Sequence, residues 1–181
     1  MVEAAYAAMA RDGVARVTVE AVARAAGVAR ATVYRVFPGG KDDLVGAAVT
    51  WAVGDFFARL LAEIGEVDGV AELLERGLAA GRRRLAAHEV LQRALEDEAG
   101  AVVPPIYAVV PVILAVLQSD LAARLARERL RPGVDPGEAA DLLARLSLSL
   151  IGTPGCWDMD DPAAVRHLVR DHLLAGIVEP G

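Results

Sequence analysis

The chain of 181 residues has little cysteine, histidine or aromatic content. Its single cysteine, Cys156, excludes an intramolecular disulfide framework and a multi-cysteine zinc site, and it fits a reducing, cytoplasmic setting. The three histidines do not accompany a Ser-His-Asp constellation, a phosphate-binding loop or a metal-ligand spacing that would support an enzyme. His167 and His172 are five residues apart, which on an α-helix places them off a common face, so we expect neither a metal site there nor a bound cofactor.

Long uninterrupted apolar runs are also missing. Hydrophobic residues make up 55% of the chain, enough for a sizeable core. The longest apolar candidate, about residues 102–117, contains three prolines and is shorter than the roughly 18 residues that a membrane helix needs. We therefore predict a buried helix there, with no membrane partner. No secretory signal precedes the first motif.

The charge of the chain is unevenly distributed. The net charge of the whole chain is −6. Residues 1–50 hold six basic and five acidic side chains, so their net charge is +1, whereas the remaining residues have a net charge of −7. The stretch from Arg24 to Lys41 contains four basic residues and no acidic one. Because the local charge sets the field that a phosphate backbone meets, an acidic total does not exclude nucleic-acid binding by this part of the chain.

The apolar residues recur with a helical period almost everywhere, which predicts an all-α fold. Thr18, Asp68, Asp135 and Asp161 are the expected helix caps, the last two each followed by proline at the first helical position. We divide the chain into a head of residues 1–45 and a body of residues 46–181. About nine helices are expected, at roughly residues 1–11, 19–26, 30–36, 41–64, 69–87, 90–99, 106–131, 136–153 and 162–177.

Residues 19–37 have the spacing of a helix, a tight turn and a second helix. Ala23 is small enough for two helices to cross closely, and Gly27 provides the left-handed backbone that the turn needs. A plain helical hairpin within a bundle would show the same spacing. The expected buried positions are Val19, Val22, Val28, Val33 and Val36, which leaves Arg30, Ala31, Thr32, Tyr34 and Arg35 more exposed.

The sequence TVEAVARAAGV at residues 18–28, followed by ATVYRVFP at 31–38 and KDDL at 41–44, resembles the N-terminal signature of the TetR/AcrR family of regulators. The resemblance covers roughly residues 1–50. It implies a three-helix DNA-binding head, a divergent effector-binding body and a dimer interface made by the last two helices. The chain departs from the pattern at Gly39-Gly40, which lengthens a turn, and at Ala29, which replaces a capping serine at a cost of about 1 kcal/mol.

The resemblance assigns roles to side chains of the head. Thr18 and Tyr34 would donate hydroxyl protons to phosphates, and Lys41 would offer its ammonium to another phosphate. Tyr34 could instead be a core aromatic, and Arg24 is either a phosphate contact or a solvated charge. The candidates for reading base edges are Arg30, Thr32 and Arg35, since arginine reads guanine bidentately.

The body is expected to hold an effector pocket and a subunit interface. Apolar side chains on more than one face of the last two helices need a partner, although burial within one subunit is the alternative. Ordinary core is the alternative for every pocket position. The pocket candidates are Trp51, Phe57, Leu60, Leu91, Leu95, Ile106, Tyr107, Val110 and Leu114; the interface candidates are Leu146, Leu150, Ile151, Trp157, Leu168, His172 and Leu173.

The resemblance therefore implies a one-component regulator: a homodimer that binds an inverted-repeat operator in double-stranded DNA. We expect the protein to repress transcription and a small molecule to release it from the operator. The alternative is a helical ligand-binding or interaction protein whose head does not read DNA. Loss of DNA affinity on substitution of Arg35 and Tyr34, with ligand binding retained, would distinguish the two.

Overall fold

The computed structural model describes residues 1–88, 91–92 and 99–179. Within these ranges the fold is all-α, as predicted, and the β structure is confined to an isolated antiparallel bridge between Leu130 and Val178. A 3₁₀ turn covers Val14–Arg16, and a π-helical turn covers Leu168–Leu173. The helices are α1 (Val2–Asp12), α2 (Val19–Ala25), α3 (Arg30–Val36), α4 (Lys41–Ile64), α5 (Val70–Ala86), α6 (Ala99–Leu125), α7 (Pro136–Gly152) and α8 (Pro162–His167). The helix expected at residues 90–99 lies largely outside the described residues.

The chain forms two compact units. The first comprises Met1–Phe57 with His88–Val110, and the second comprises Ala58–Ala87 with Pro111–Gly181. The core of the first unit joins α1, α2, α3 and the start of α4, and it includes Val102 of α6. The core of the second unit is built from α5, the end of α6, α7, α8 and the π turn. The head predicted at residues 1–45 falls wholly within the first unit.

Three of the four expected caps are confirmed. The Thr18 hydroxyl accepts the backbone N–H of Ala21, and Asp135 and Asp161 cap α7 and α8. The prediction for Asp68 is wrong, because α5 begins one residue later with Gly69 at the cap position and no side-chain cap bond.

The predicted bounds of the long helix around residues 106–131 are also wrong. Helix α6 begins at Ala99 and continues through Pro104, Pro105 and Pro111. It ends at Leu125 rather than near Arg131 because the following backbone pairs with the end of the chain. Arg131 N–H donates to the carbonyl of Ile177, and Glu179 N–H donates to that of Arg129. The same pairing ends the last helical segment before residue 177.

Burial of the apolar segment at residues 102–117 is contradicted for much of its surface. Val102 is 1% exposed, but Tyr107 is 71%, Val112 is 64% and Val116 is 58% exposed. The composition predicted a buried helix, whereas the chain itself covers only part of its surface. Helices α4 and α6 are each long and apolar enough to cross a membrane. In the most apolar 18-residue stretch of each helix, 28% of α4 and 6% of α6 is buried. Length and composition alone are weak evidence for a membrane span.

Candidate nucleic-acid interface

Helices α2 and α3 form a helix-turn-helix whose apolar sides are closed off from solvent. Val22 and Val33 are 0% exposed, and Ala23 is 4% exposed where the helices approach each other. Gly27 in the turn has φ +67°, the left-handed conformation that glycine adopts without strain. These features confirm the turn that the sequence predicts between the two helices.

The expected burial of Val36 is wrong. Its side chain is 49% exposed, while the next residue, Phe37, packs against the core of the first unit. Helix α3 ends at Val36, so the backbone turns there, and the larger side chain of Phe37 packs in the core instead. Ala29 at the start of α3 makes no side-chain cap bond, as the sequence indicates.

The exposed surface of α3 carries Arg30, Tyr34 and Arg35, with Thr32 half-buried beside them. Arg30 does not project freely: Nη1 lies 2.7 Å from Oε1 of Glu20 on α2. Nη2 donates to the Tyr34 hydroxyl at 3.3 Å, and the guanidinium carbon lies 5.3 Å from the centre of the tyrosine ring. The hydrogen bond to Tyr34 and the charge of Glu20 raise the pKa of Arg30 above its ordinary value. Sequence reasoning missed Glu20, because a contact between two helices has no local periodic signal.

Arg24 and Arg35 are exposed and form no ion pair within the described part of the chain. Their guanidinium groups are therefore available to an anionic partner without first breaking a bond to the protein. Arg35 is on the helix that would enter a DNA groove, whereas Arg24 closes the preceding helix. This arrangement suits a base contact for Arg35 and a backbone contact for Arg24.

Lys41 and Thr18 are both engaged by the backbone but retain donors. The ammonium of Lys41 donates to the carbonyl of Ala15 at 2.7 Å, which ties the first residue of α4 to the 3₁₀ turn. An ammonium has three N–H donors, so the others remain for a phosphate. Thr18 accepts a bond from Ala21 at 3.1 Å, which leaves its hydroxyl proton to donate elsewhere.

The lengthened turn at Gly39-Gly40 has a structural cause. The N–H of Gly39 donates to Oδ2 of Asp43 at 2.7 Å, and a Cβ on Gly39 would lie 2.6 Å from Oδ1 of that carboxylate. Gly40 has φ +67°, and a Cβ there would approach the Tyr34 ring to 3.1 Å. Both glycines thus let the turn close against Asp43 and Tyr34. Asp43, the third residue of the KDDL motif, is therefore a positioning residue of this turn.

An aromatic cluster lies behind the head in the first unit. The Tyr6 ring of α1 is 5.4 Å from that of Trp51 on α4, and its hydroxyl is 3.3 Å from Nε2 of His88. Nδ1 of His88 accepts the N–H of Leu91, so the ring proton is on Nε2 and is donated to Tyr6. The contacts join α1 and α4 with His88, which places Trp51 in a defined aromatic environment.

The residues predicted to line an effector pocket differ in exposure. Leu60 is 4% exposed and belongs to the core, whereas Tyr107 is 71% exposed. Leu95 lies outside the described residues. The half-buried candidates are Trp51, Phe57, Leu91, Ile106, Val110 and Leu114. The pocket therefore stays a prediction.

The second unit has an open cleft of about 440 Å³ beside α5 and α8. Its lining includes side chains of both charge signs and none of the predicted pocket residues. The charged members are Glu63, Glu75, Asp160, Arg76, Arg83 and Arg166.

The predicted interface residues fall into two groups. Ile151 and Leu168 are 8% and 3% exposed and pack in the core of the second unit, as the alternative of burial within one subunit expects. On α7, Leu146 is 36% exposed, and Leu142 one turn earlier is 52% exposed. Leu150, Trp157 and Leu173 are half-buried and His172 is exposed.

The expectation that His167 and His172 point in different directions is wrong. Their Nε2 atoms are 3.3 Å apart and their ring centres 4.9 Å apart. The reason is the π turn at Leu168–Leu173, whose wider winding places residues i and i+5 on one face.

Two helices that bury apolar sides against each other across a glycine turn, with exposed arginines on the second helix, are the arrangement found in helix-turn-helix DNA-binding proteins. Residues 1–48 match the family model described as "Bacterial regulatory proteins, tetR family". The first 48 residues are therefore similar to TetR-family regulators, as the sequence motif indicates.

Solved structures share the fold over nearly the whole chain. The SmeT–triclosan complex is 24% identical, with a TM-score of 0.60 over 99% of this chain and 90% of that one. The R. erythropolis transcriptional repressor QsdR is 16% identical, with a TM-score of 0.63 over 99% and 94%. The fatty acid degradation regulator FadR from Bacillus halodurans is 22% identical, with a TM-score of 0.57 over 93% and 91%. No curated protein matches the chain.

Proposed function

We propose that this chain is a ligand-responsive transcriptional repressor that binds an inverted-repeat DNA operator as a homodimer and is released by a small molecule. The observation that carries the proposal is the surface of α3, where Arg30, Tyr34 and Arg35 are exposed on a helix-turn-helix held rigid by buried Val22 and Val33. This surface concentrates positive charge in a chain whose total charge is −6. The protein acts in the cytoplasm and has no catalytic role.

The side chains of the head divide into two roles. Arg35, Thr32 and Arg30 contact base edges, where each good bidentate arginine contact discriminates by about 1–3 kcal/mol. Thr18, Tyr34 and Lys41 contact phosphates, together with Arg24, and set the register on the duplex. Their placement is supported by the bonds of Thr18 to Ala21 and of Lys41 to Ala15, which hold these groups at the two edges of the motif.

The dimer uses the exposed apolar side of α7 together with the π turn. Leu142 and Leu146 are one turn apart on α7 and are 52% and 36% exposed. Apolar side chains in such a row are stabilised by burial against the same row of a second copy. A two-fold arrangement would set the two α3 helices about one DNA turn, roughly 34 Å, apart.

The effector acts through α4, whose first residue is bonded to the head at Ala15 and whose Trp51 contacts Tyr6 of α1. An apolar small molecule bound among the half-buried side chains of α4 and α6 favours one position of α4 and so changes the spacing of the heads. The similar SmeT was solved as a complex with triclosan, which supports an apolar ligand class. A coupling of about 1–3 kcal/mol between ligand and operator is enough for such a switch.

The test is selection of bound fragments from a random or genomic DNA pool with the full chain. The expected result is an enriched inverted repeat of about 15–20 base pairs, as two half-sites one helical turn apart require. Arg35→Ala should abolish the enrichment, while Arg127→Ala, which removes an exposed arginine from the second unit, should not change it. Failure of folded wild-type chain to enrich any sequence at low salt would instead favour a ligand-binding protein without operator function.

Release of the operator by a small molecule is tested by a separate measurement. Operator affinity is measured by fluorescence anisotropy while a library of apolar small molecules is added, and ligand affinity is then measured with and without operator. The two shifts should be equal in size, because coupling between binding sites is reciprocal. Independent binding of ligand and operator would contradict the proposed release mechanism while leaving DNA binding intact.

A further inference from the structure

His167 and His172 form a pair on the surface of the second unit and contact both Asp171 and Trp157. Nδ1 of His167 is 2.7 Å from Oδ2 of Asp171, one residue before His172. The Trp157 ring lies 5.9 Å from the ring of His167 and 5.1 Å from that of His172. These contacts fix both imidazole rings with their Nε2 atoms facing each other at 3.3 Å.

The proton positions follow from the partners. An ionised carboxylate only accepts hydrogen bonds, so Nδ1 of His167 carries the proton that is donated to Asp171. Nε2 of His167 therefore keeps its lone pair and accepts a hydrogen bond from Nε2–H of His172. A metal-binding histidine has the same arrangement, in which the far ring nitrogen donates to a carboxylate and the near one presents a lone pair.

The separation of the two nitrogens matches a chelate. Zinc–imidazole bonds are about 2.0–2.1 Å long, and two such bonds at a tetrahedral angle place their nitrogens about 3.3–3.4 Å apart. The observed distance is 3.3 Å. The side chain of His167 is 57% exposed, so an ion reaches the pair from solvent.

We propose that His167 and His172 bind one divalent transition-metal ion through their Nε2 atoms, with Asp171 orienting His167 from outside the coordination shell. The proton of His172 moves to Nδ1 on binding, so both rings stay neutral and no net proton is released. Imidazole ligands suit Zn²⁺, Ni²⁺ and Cu²⁺.

We expect the two histidines to bind a metal ion with modest affinity. Within the described residues there is no group of three or more histidine, cysteine, aspartate or glutamate side chains that could hold a metal. Two protein ligands leave the remaining positions to water or to donors from another molecule. Binding is therefore weaker than in structural zinc sites, which have four protein ligands. The inference does not rest on the proposed DNA binding, and the π turn that carries His172 is also part of the proposed dimer interface.

Titration of Ni²⁺ into the full, untagged chain by calorimetry tests the site. We expect saturable binding that falls at least tenfold in His167→Ala and in His172→Ala. Asp171→Asn should weaken binding by about 10–100-fold, the usual effect of removing the outer partner of a ligating histidine. The matched control is His88→Gln, which removes the third histidine and should leave the affinity unchanged.

A second readout locates the ion. The chain has two tryptophans, so Trp51→Phe leaves Trp157 as the only one. Cu²⁺ should then quench its fluorescence saturably, and His172→Ala should remove that quenching while circular dichroism shows an unchanged helix content. One ion per chain supports the pair, and one ion per two chains supports it with a second copy completing the shell. Absence of wild-type binding, or retention of binding and quenching in both alanine variants, would overturn the proposal.

Discussion

The guanidinium of Arg30 forms a 2.7 Å ion pair with Glu20 of the preceding helix. The pair joins the two helices of the DNA-binding motif across the surface that faces outward. A side chain proposed to contact a base is thus already held by a carboxylate, so contact with DNA requires Arg30 to leave Glu20 or to share its donors.

Glu20→Gln should strengthen operator binding a few-fold at low salt. The change removes a negative charge from the DNA-facing surface and releases Arg30 toward the duplex. If Arg30 then gains a phosphate contact, the slope of log affinity against log salt should steepen by about 0.9. Fluorescence anisotropy over a salt series measures both. Glu3→Gln, a loss of the same charge on α1, is the control, and an equal effect there would contradict a specific role for the pair.

Leu143→Ala should lower the free energy of unfolding by about 2–5 kcal/mol, the usual cost of removing a fully buried leucine side chain. Leu143 is 0% exposed in the core of the second unit. Its neighbour Leu142 is 52% exposed on the same helix and is the matched control. In urea denaturation, Leu142→Ala should have a much smaller effect on the free energy of unfolding of the isolated chain.

In sedimentation, Leu142→Ala should instead weaken self-association, because its side chain belongs to the proposed dimer interface. Unchanged association would contradict that interface.

Two glycine substitutions should change stability in opposite directions. Gly27→Ala should cost about 1–2 kcal/mol, because its φ of +67° is strained for any residue with a Cβ although nothing lies within 4 Å of that Cβ. Gly54→Ala should stabilise the chain by about 0.5–1 kcal/mol, because Gly54 is inside α4 and its added Cβ also meets nothing. Thermal melts compare the two, and a stabilising Gly27→Ala would rule out the left-handed turn.

Glu63 should make stability depend on pH in the acidic range. Hydrogen bonds from Arg83 and Arg84 lower the pKa of its carboxyl below the usual value. A lowered folded-state pKa contributes stability above the unfolded-state pKa, and that stability is lost as the pH falls through the folded-state value. Wild type should therefore exceed Glu63→Gln in stability at neutral pH, with the difference vanishing in acid. Glu66→Gln is the control, and a pH-independent difference for Glu63→Gln would contradict the ion pairs.

Short-range features of the chain were predictable from its residues. The caps at Thr18, Asp135 and Asp161, and the turn at Gly27, depend on bonds and backbone angles within a few residues. The buried positions Val22 and Val33 follow from helical periodicity in the same way. These local rules were sufficient for the all-α fold and for the motif of the head.

Contacts between distant residues were not predictable in this way. The ion pair of Arg30 with Glu20, the bond of Lys41 to Ala15 and the packing of Tyr6 on Trp51 each depend on how separate elements approach one another. No periodic pattern encodes such distances. The exposure of Tyr107 is a further example, since an apolar composition cannot say how much cover the rest of the chain supplies.

The last helical segment shows most clearly which features follow from the sequence and which depend on the tertiary structure. The sequence by itself determined the resemblance of the head to the TetR family, the helical class of the body and the cap at Asp161, because these depend on residue types at short spacing. Only the tertiary structure decided that the backbone after His167 winds as a π turn. That wider turn brings His167 and His172 to one face, where a regular α-helix would hold them apart, because five residues are close to a whole number of turns only in the wider winding.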